Sequence, residues 1–411
     1  MTVPVVPASR GYGPLLRTPG ALGFSLAGLV GRMPISMLGI GTVLLVQDRR
    51  DSYALAGLVS AAYALGLAVI GPAVSRLVDR RGQRRVLPAA VVVSALGTVA
   101  VVLLAAPDAP LLLLLLAATL MSAAPSQLGS CARARWSQLL ADRPGEVPRA
   151  YAWEAVVDEV VFVLGPLVVV LCAVLDPAVG LLVALGLGAA GTLAFVAQGA
   201  TEPAVHPLGD GHRRAMSAHG LRTLTASMLF VGVLFGTVEV AMVAFAEQRG
   251  SSSGAGVLLA LVALGSAVAG LLYGALHLRS PLHRRFLVSL GFLALGLLPL
   301  LLAPSVPAMA PAALLAGFAI SPTLISAYGL VDELVPVAAR TEGFSWLNSG
   351  LGVGVALGFA VSGAVADDGG ARTAFVVALG GALAAGAVAV LGRRTLVPDP
   401  VADRPRPPAA S

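Results

Sequence analysis

The sequence predicts an all-α membrane protein: twelve transmembrane helices in two six-helix halves related by a pseudo-two-fold axis. Three observations carry the prediction. Of 411 residues, 57% are hydrophobic and only 12% charged, and the mean hydropathy is +0.89. A soluble domain cannot bury that much apolar surface. The apolar residues also fall into twelve runs, each near the ~20 residues that a span requires. Finally, the second six runs echo the first six. In one register Trp153 lies over Trp346 and Gly165 over Gly358. LRT at 16–18 recurs at 221–223, and GQRRVL at 82–87 is echoed by PLHRRFL at 281–287.

The elements follow in order. Residues 1–19 are polar and rich in Pro and Gly, and form an N-terminal cytoplasmic segment. The apolar run after them is too long for the core of a cleavable signal, so none is read there. The first half, 20–197, holds spans at roughly 20–46, 53–74, 86–106, 111–132, 151–175 and 178–197. A cytoplasmic linker, 198–222, is the longest interruption. The second half, 223–392, holds spans at roughly 223–246, 255–277, 286–303, 308–330, 343–365 and 373–392. Short turns such as PDAP (107–110), LDP (175–177) and DDGG (367–370) separate neighbours. The tail, 393–411, is Pro-rich and expected to be disordered.

Charge sets orientation and excludes several functions. The formal net charge is +6, but the basic residues sit in short clusters between apolar runs and form no stripe with interleaved aromatics, so no nucleic-acid partner is expected. All 27 basic residues are arginine, which removes the Gly-Lys-Ser/Thr phosphate loop and any Schiff-base lysine. With the N-terminus in the cytoplasm, Arg49, Arg50, Arg249 and Arg372 lie outside, Arg32 lies within a span, and every other arginine is cytoplasmic. That asymmetry meets the positive-inside rule and places both termini inside a cytoplasmic membrane. Cys131 and Cys172 lie in or beside apolar runs and read as packing residues. His206, His212 and His219 in the linker lack metal-ligand spacing. No metal, cofactor, nucleophile–base pair or enzymatic activity is expected, and nothing requires more than a monomer.

The loop between spans 2 and 3 reads SRLVDRRGQRRVL, 75–87. Here the chain resembles the major facilitator superfamily, whose motif at this place is roughly G-x-L-x-D-R-x-G-R-R/K. Leu77, Asp79, Arg80, Gly82 and Arg84 match; Ser75 replaces the first Gly, and Gln83 the first Arg after Gly82. A parallel six-span repeat is also the organisation of that class of secondary transporters. The resemblance implies that Asp79 approaches the start of span 11, whose free amides carry partial positive charge, and that this gating loop holds the halves together on the inner side. It implies that spans 1, 4, 7 and 10 line a central cavity. In span 5, Gly165 and Pro166 match only the end of a glycine-rich pattern of drug/proton antiporters; the earlier positions are bulky or acidic. Near the place of Asp79 in the second half stand Leu278 and Arg279, so the acid is missing there.

Buried charge marks the candidate site. In AYAWEAVVDEVVFVLGP, 150–166, Glu154 and Asp158 are one helical turn apart and share a face, while Glu159 points about 100° further round. Gly165 continues the face of Asp158. Ionisable residues within a span are costly and are functional candidates by default. Asp158, with Glu159 and Glu154, is read as the proton-coupling group, because an acid passing between a wet and a closed cavity changes its proton load. A fixed ion-pair cluster is the alternative. Arg32 is read as their counter-ion or as the ligand of an anionic substrate. Glu239, alone in the outer part of span 7, and Trp346 and Asn348 on span 11 complete the substrate-cavity candidates. Arg133, Arg135 or Arg149 could latch Glu154, and Arg133 and Arg135 are expected to snorkel at the end of span 4. Gly350, Gly354 and Gly358 form GxxxGxxxG, read as close packing between the halves. The expected function is proton-coupled export of a small organic molecule by alternating access. Its rivals are uptake of a polar or anionic metabolite by symport or uniport, and a non-transporting membrane receptor or scaffold.

Overall fold

The computed structural model describes residues 12–124, 127–205, 215–249, 252–276, 278 and 280–397. His206, His212, Arg279 and the tail from 398 onward lie outside the described residues. Every regular element among the described residues is helical. Among the described residues, eleven helical stretches, Val306–Leu334 counted as one, are long and apolar enough to cross a membrane, and a shorter apolar helix, Leu111–Met121, accompanies them.

Spans 1 to 3 are Ala21–Arg50, Tyr53–Arg81 and Gln83–Leu104. Span 5 is Val147–Ala173, span 6 Pro177–Ala197, span 7 His219–Glu247, span 8 Ser252–Ala275 and span 9 Leu282–Leu302. Spans 11 and 12 share one run of helical hydrogen bonds, Arg340–Leu391, which turns at Gly370 (φ 73°), within the expected DDGG turn. Local chemistry sets several starts. Ser52 accepts from the Leu55 amide, and Asp176 from the Ala178 amide just ahead of Pro177. Such caps satisfy amides that have no partner in the first turn. Between spans 2 and 3, Gly82 has φ 86°, and an added Cβ would meet the Glu202 carboxylate at 2.9 Å. Glycine is required there by backbone and by space.

Spans 4 and 10 are present but broken. Span 4 is Leu111–Met121 followed by Gln127–Leu139, and span 10 is Val306–Gly317 followed by Ile320–Leu334. The break in span 10 sits beside Pro322, which cannot donate to the helical ladder. Both spans also run past their expected ends, to Leu139 and Leu334 instead of 132 and 330. Broken backbone at corresponding places of two halves is tolerated where protein or a wet cavity surrounds it.

The glycines of span 11 require a correction. They pack on span 7, inside the second half, and not between halves. Added Cβ atoms at Gly350, Gly354 and Gly358 would strike the carbonyls of Thr225, Leu229 and Val233. Small residues at this spacing let two backbones touch, and here the partner supplies Gly232 and Gly236. Gly165 likewise seats Ser36 and Met37 of span 1, while the Ser36 hydroxyl donates to Val161 O at 2.8 Å.

The halves meet at the face of the bundle near Tyr12 and Val397, the terminal face. The Asp79 carboxylate accepts from the amides of Thr341 (3.3 Å) and Glu342 (2.8 Å), the first turn of span 11. Arg76 pairs with Glu342 at 2.7 Å. Asp332 accepts from Ser137 at 2.6 Å and pairs with Arg340 at 3.1 Å, while Arg340 also reaches Ser137. Tyr12 donates to Leu271 O at 3.1 Å and Arg149 to Gly274 O at 3.3 Å. A small groove lies among these contacts, lined by Asp79, Gln83, Gln138, Arg340 and Thr341. Away from this face, spans 2, 5 and 11 expose Leu58, Leu65, Phe162, Leu167, Leu357 and Phe359. The bundle is therefore laced at the terminal face.

Candidate functional site

Midway through the bundle, spans 1, 4 and 5 bring four charges together. Arg32 reaches both acids of span 5: one Nη donates to Glu154, and the other to Asp158 Oδ1 at 2.8 Å. Arg133, from the second piece of span 4, donates to Asp158 Oδ2 at 2.6 Å. Trp136, three residues on and so on the same face, donates its indole N–H to Glu154 Oε1 at 2.7 Å. Two guanidinium groups thus balance two carboxylates.

The four differ in access. Glu154 is fully buried and Arg32 is 3% exposed, but Asp158 is 32% exposed. Arg133 lies against Asp158 on one side and the Tyr328 ring on the other, its guanidinium carbon 3.9 Å from the ring centroid. Tyr328, on the second piece of span 10, donates its hydroxyl to Asn348 Oδ1 of span 11 at 2.5 Å. The cluster belongs to the first half, yet it leans on the second through this ring. Charges removed from water at this depth persist only when paired, and breaking one pair strands its partner.

Arg32, Glu154 and Asp158 are therefore together, with Arg32 the counter-ion of both acids. Arg133 does not snorkel; it is buried on Asp158. Arg135 is also buried, donating to Gln83 Oε1 (2.7 Å), Gln198 O (3.0 Å) and Thr201 (2.8 Å), with its guanidinium 3.9 Å from the Phe195 centroid. The snorkelling expectation fails because span 4 continues to Leu139 and other helices enclose both residues. Neither Arg135 nor Arg149 holds Glu154; Arg32 and Trp136 do.

Other expected members stand apart. Glu159 turns toward the second half, where the Ser266 hydroxyl of span 8 is its polar neighbour; Ser266 in turn bonds Ser321 of span 10 at 2.9 Å. Glu239 is exposed and, among the described residues, has no ion pair. Span 7 otherwise exposes only Ala226 between 223 and 246, among the described side chains. Spans 3 and 9, by contrast, expose many large apolar side chains, such as Val92, Leu96 and Leu103 of span 3 or Val288, Phe292 and Leu295 of span 9. Glu239 is thus an exposed acid on a helix that is otherwise largely enclosed. Trp346 donates to Glu342 Oε1 at 3.3 Å, which places it at the terminal-face latch. In the gating loop Arg80 and Arg84 are exposed, and the Arg84 amide donates to Glu202 at 3.0 Å.

Sequence reasoning missed Trp136, Tyr328 as the support of Arg133, and the pair of Arg76 with Glu342. The spacing of Arg133 and Trp136 was a usable signal for a shared face; the other two join residues far apart in sequence.

The Major Facilitator Superfamily model matches residues 22–243 and 224–411. No curated protein sequence matches this chain. Among solved structures, the human organic anion transporter MFSD10 (TETRAN) is similar, with 18% identity, 90% of this chain and 98% of that one covered, and a TM-score of 0.72. A bacterial homologue of the iron transporter ferroportin, in an outward-facing state, shows 16% identity, 91% and 99% coverage, and a TM-score of 0.72. FucP, a transporter solved in its outward conformation, shows 15% identity, 92% and 99% coverage, and a TM-score of 0.69. At such identities the likeness concerns the fold.

Proposed function

The chain belongs to the major facilitator superfamily of secondary transporters, and from that premise we propose that it moves a small organic molecule by proton-coupled alternating access, with Asp158 as the group that takes the proton. One observation carries this reading: Asp158 is the accessible member of an otherwise sealed, charge-balanced cluster. A proton can reach it without opening the cluster, and on arrival removes a charge on which two arginines depend. Arg133 passes that change to the second half through Tyr328 and Asn348. Glu154, sealed by Trp136 and Arg32, is a fixed anion in this scheme.

The arginine distribution supports a cytoplasmic location for the terminal face. On that orientation the latch around Asp79 is an inner gate, and the conformation faces outward. The linker joins this gate at both ends: Glu202 accepts from the Arg84 amide, and the Ala215 amide donates to Glu342 at 3.4 Å. The expectation of export rests on the family resemblance, on Gly165 and Pro166, and on the apolar cavity helices. In the structure Gly165 is a seat for span 1, so packing accounts for it and it lends no support to a direction. Uptake is the reading we favour, because an empty site that is already neutral is suited to receiving a proton and a substrate together.

The test uses proteoliposomes. Asp158→Asn is expected to retain exchange of substrate across the membrane and to lose accumulation driven by a pH gradient. Gradient-driven accumulation that survives the substitution would sink the assignment.

A further inference from the structure

Arg32 and Arg133 do not depend on Asp158 equally. Arg32 keeps Glu154 whatever happens at Asp158. Arg133 has Asp158 as its one carboxylate partner among the described residues. A proton on Asp158 therefore leaves Arg32 paired and Arg133 bare, with one excess positive charge in a site nearly closed to water. A buried guanidinium without a partner is costly, so that state needs a replacement anion. Independently, the Nε–H groups of Arg32 and Arg133, both buried, have no acceptor among the described residues. Arg133 thus has a donor to spare beyond those it spends on Asp158 and Gly129 O.

We infer that the substrate is an organic carboxylate, which takes the place of Asp158 at Arg133 when Asp158 takes a proton. This rests on the reading of Asp158 as the proton site. Charge then selects the states that can close. The empty cluster is neutral, and so is the cluster holding one proton and one anion. A lone proton or a lone anion leaves a net charge to bury. A cationic substrate would add a second positive charge to the protonated site. The bound carboxylate would lie beside Tyr328, whose ring covers Arg133 and whose hydroxyl is tied to Asn348, so occupancy would draw spans 10 and 11 toward spans 1, 4 and 5. The titratable and charged groups around Asp158 are Arg32 from span 1, Arg133 from span 4, Glu154 and Glu159 from its own helix, and Tyr328 from span 10.

Equilibrium binding to the purified full chain tests the inference. The probes are acetate, lactate, succinate and benzoate, set against ethylammonium, choline and benzylammonium at the same millimolar concentrations. A carboxylate is expected to bind and the ammonium ions not. Its affinity should rise about tenfold for each pH unit of acidification while Asp158 is charged, as uptake of one proton per anion requires. Asp158→Asn should bind the carboxylate more tightly and without that pH dependence. Arg133→Gln should weaken it about tenfold or more, in line with the loss of a charge-assisted bond. Preference for an ammonium ion, failure of all four carboxylates to bind, or full affinity in Arg133→Gln overturns the inference. Should Arg133→Gln not fold, the wild-type preference and the Asp158→Asn titration decide. Carboxylate binding with no pH dependence leaves the substrate class standing and refutes the proton site.

Discussion

Replacing Asp79 with Asn should open the terminal face, and the structure sets the size of the effect. The carboxylate accepts from two amides of the first turn of span 11, at 2.8 and 3.3 Å. A hydrogen bond to a charged group contributes ~1.5–3 kcal/mol, against ~0.5–1.5 for a neutral one. Asn keeps one acceptor oxygen, so the shorter bond survives in neutral form and the longer is lost. The charge–dipole attraction at the helix start, ~0.3–1 kcal/mol at an accessible site, is lost as well. Together these terms should weaken the closed state by about 3–5 kcal/mol, a shift of roughly 100- to several-thousand-fold in the ratio of closed to open. Arg76–Glu342 and the Ser137–Asp332 hydrogen bond remain between the halves, so closure weakens but persists. Spin labels at Ala141 and Val337, both exposed on this face in opposite halves, report the distance by pulsed electron resonance after Cys172→Ser removes the accessible thiol. A second, longer distance should appear in Asp79→Asn. A distribution unchanged from wild type, alongside one that lengthens in Arg76→Gln, would show that the ion pair is the latch and that the carboxylate on the helix start is not.

Three further outcomes follow from packing and hydrogen bonding. Gly354→Leu should prevent span 11 from seating on span 7, since its Cβ meets the Leu229 carbonyl; a loss beyond the usual ~1–3 kcal/mol of overpacking is expected, whereas Gly352→Leu, with nothing within 4 Å of its Cβ, should leave the melting temperature in detergent unchanged. Trp136→Phe keeps the edge-on contact with Phe24 (4.9 Å) but takes the indole donor from the buried Glu154, and should cost ~1.5–3 kcal/mol in the same melting assay. Tyr12→Phe should loosen the terminal face by no more than ~1 kcal/mol in the distance measurement, as expected of one neutral hydrogen bond. Burial pushes the Tyr12 hydroxyl up to about 12, Arg149 opposing weakly, so its contribution is fully present below the ordinary tyrosine value and fades only as pH rises toward 12; between pH 6 and 9 the effect of Tyr12→Phe should be flat.

Much of the architecture could be read from the chain because membrane insertion writes itself in long apolar runs and in the placement of arginine. The twelve spans and the turn at Gly370 follow from those alone. The breaks in spans 4 and 10 do not, because their flanks are as apolar as any span and a proline within a run need not break it: Pro34, Pro72 and Pro166 lie inside continuous helices. The acids of span 5 were legible because hydrocarbon makes any charge conspicuous. Their partners were legible in proportion to their oddity. Arg32 stood out in the middle of a run, whereas Arg133 and Arg135 seemed to lie at the end of one and so took the reading proper to helix ends. The glycines of span 11 announced a close contact but not its partner, since GxxxG specifies how near two helices come and not which helix is near.

The most direct test of Asp158 as the proton site is infrared difference spectroscopy of the purified protein across a pH step, with the carboxyl C=O band followed in wild type, Asp158→Asn and Glu159→Gln. The account predicts a band that grows on acidification in wild type, persists in Glu159→Gln and vanishes in Asp158→Asn. A band that persists in Asp158→Asn and vanishes in Glu159→Gln would contradict it and move the proton to the acid that faces span 8.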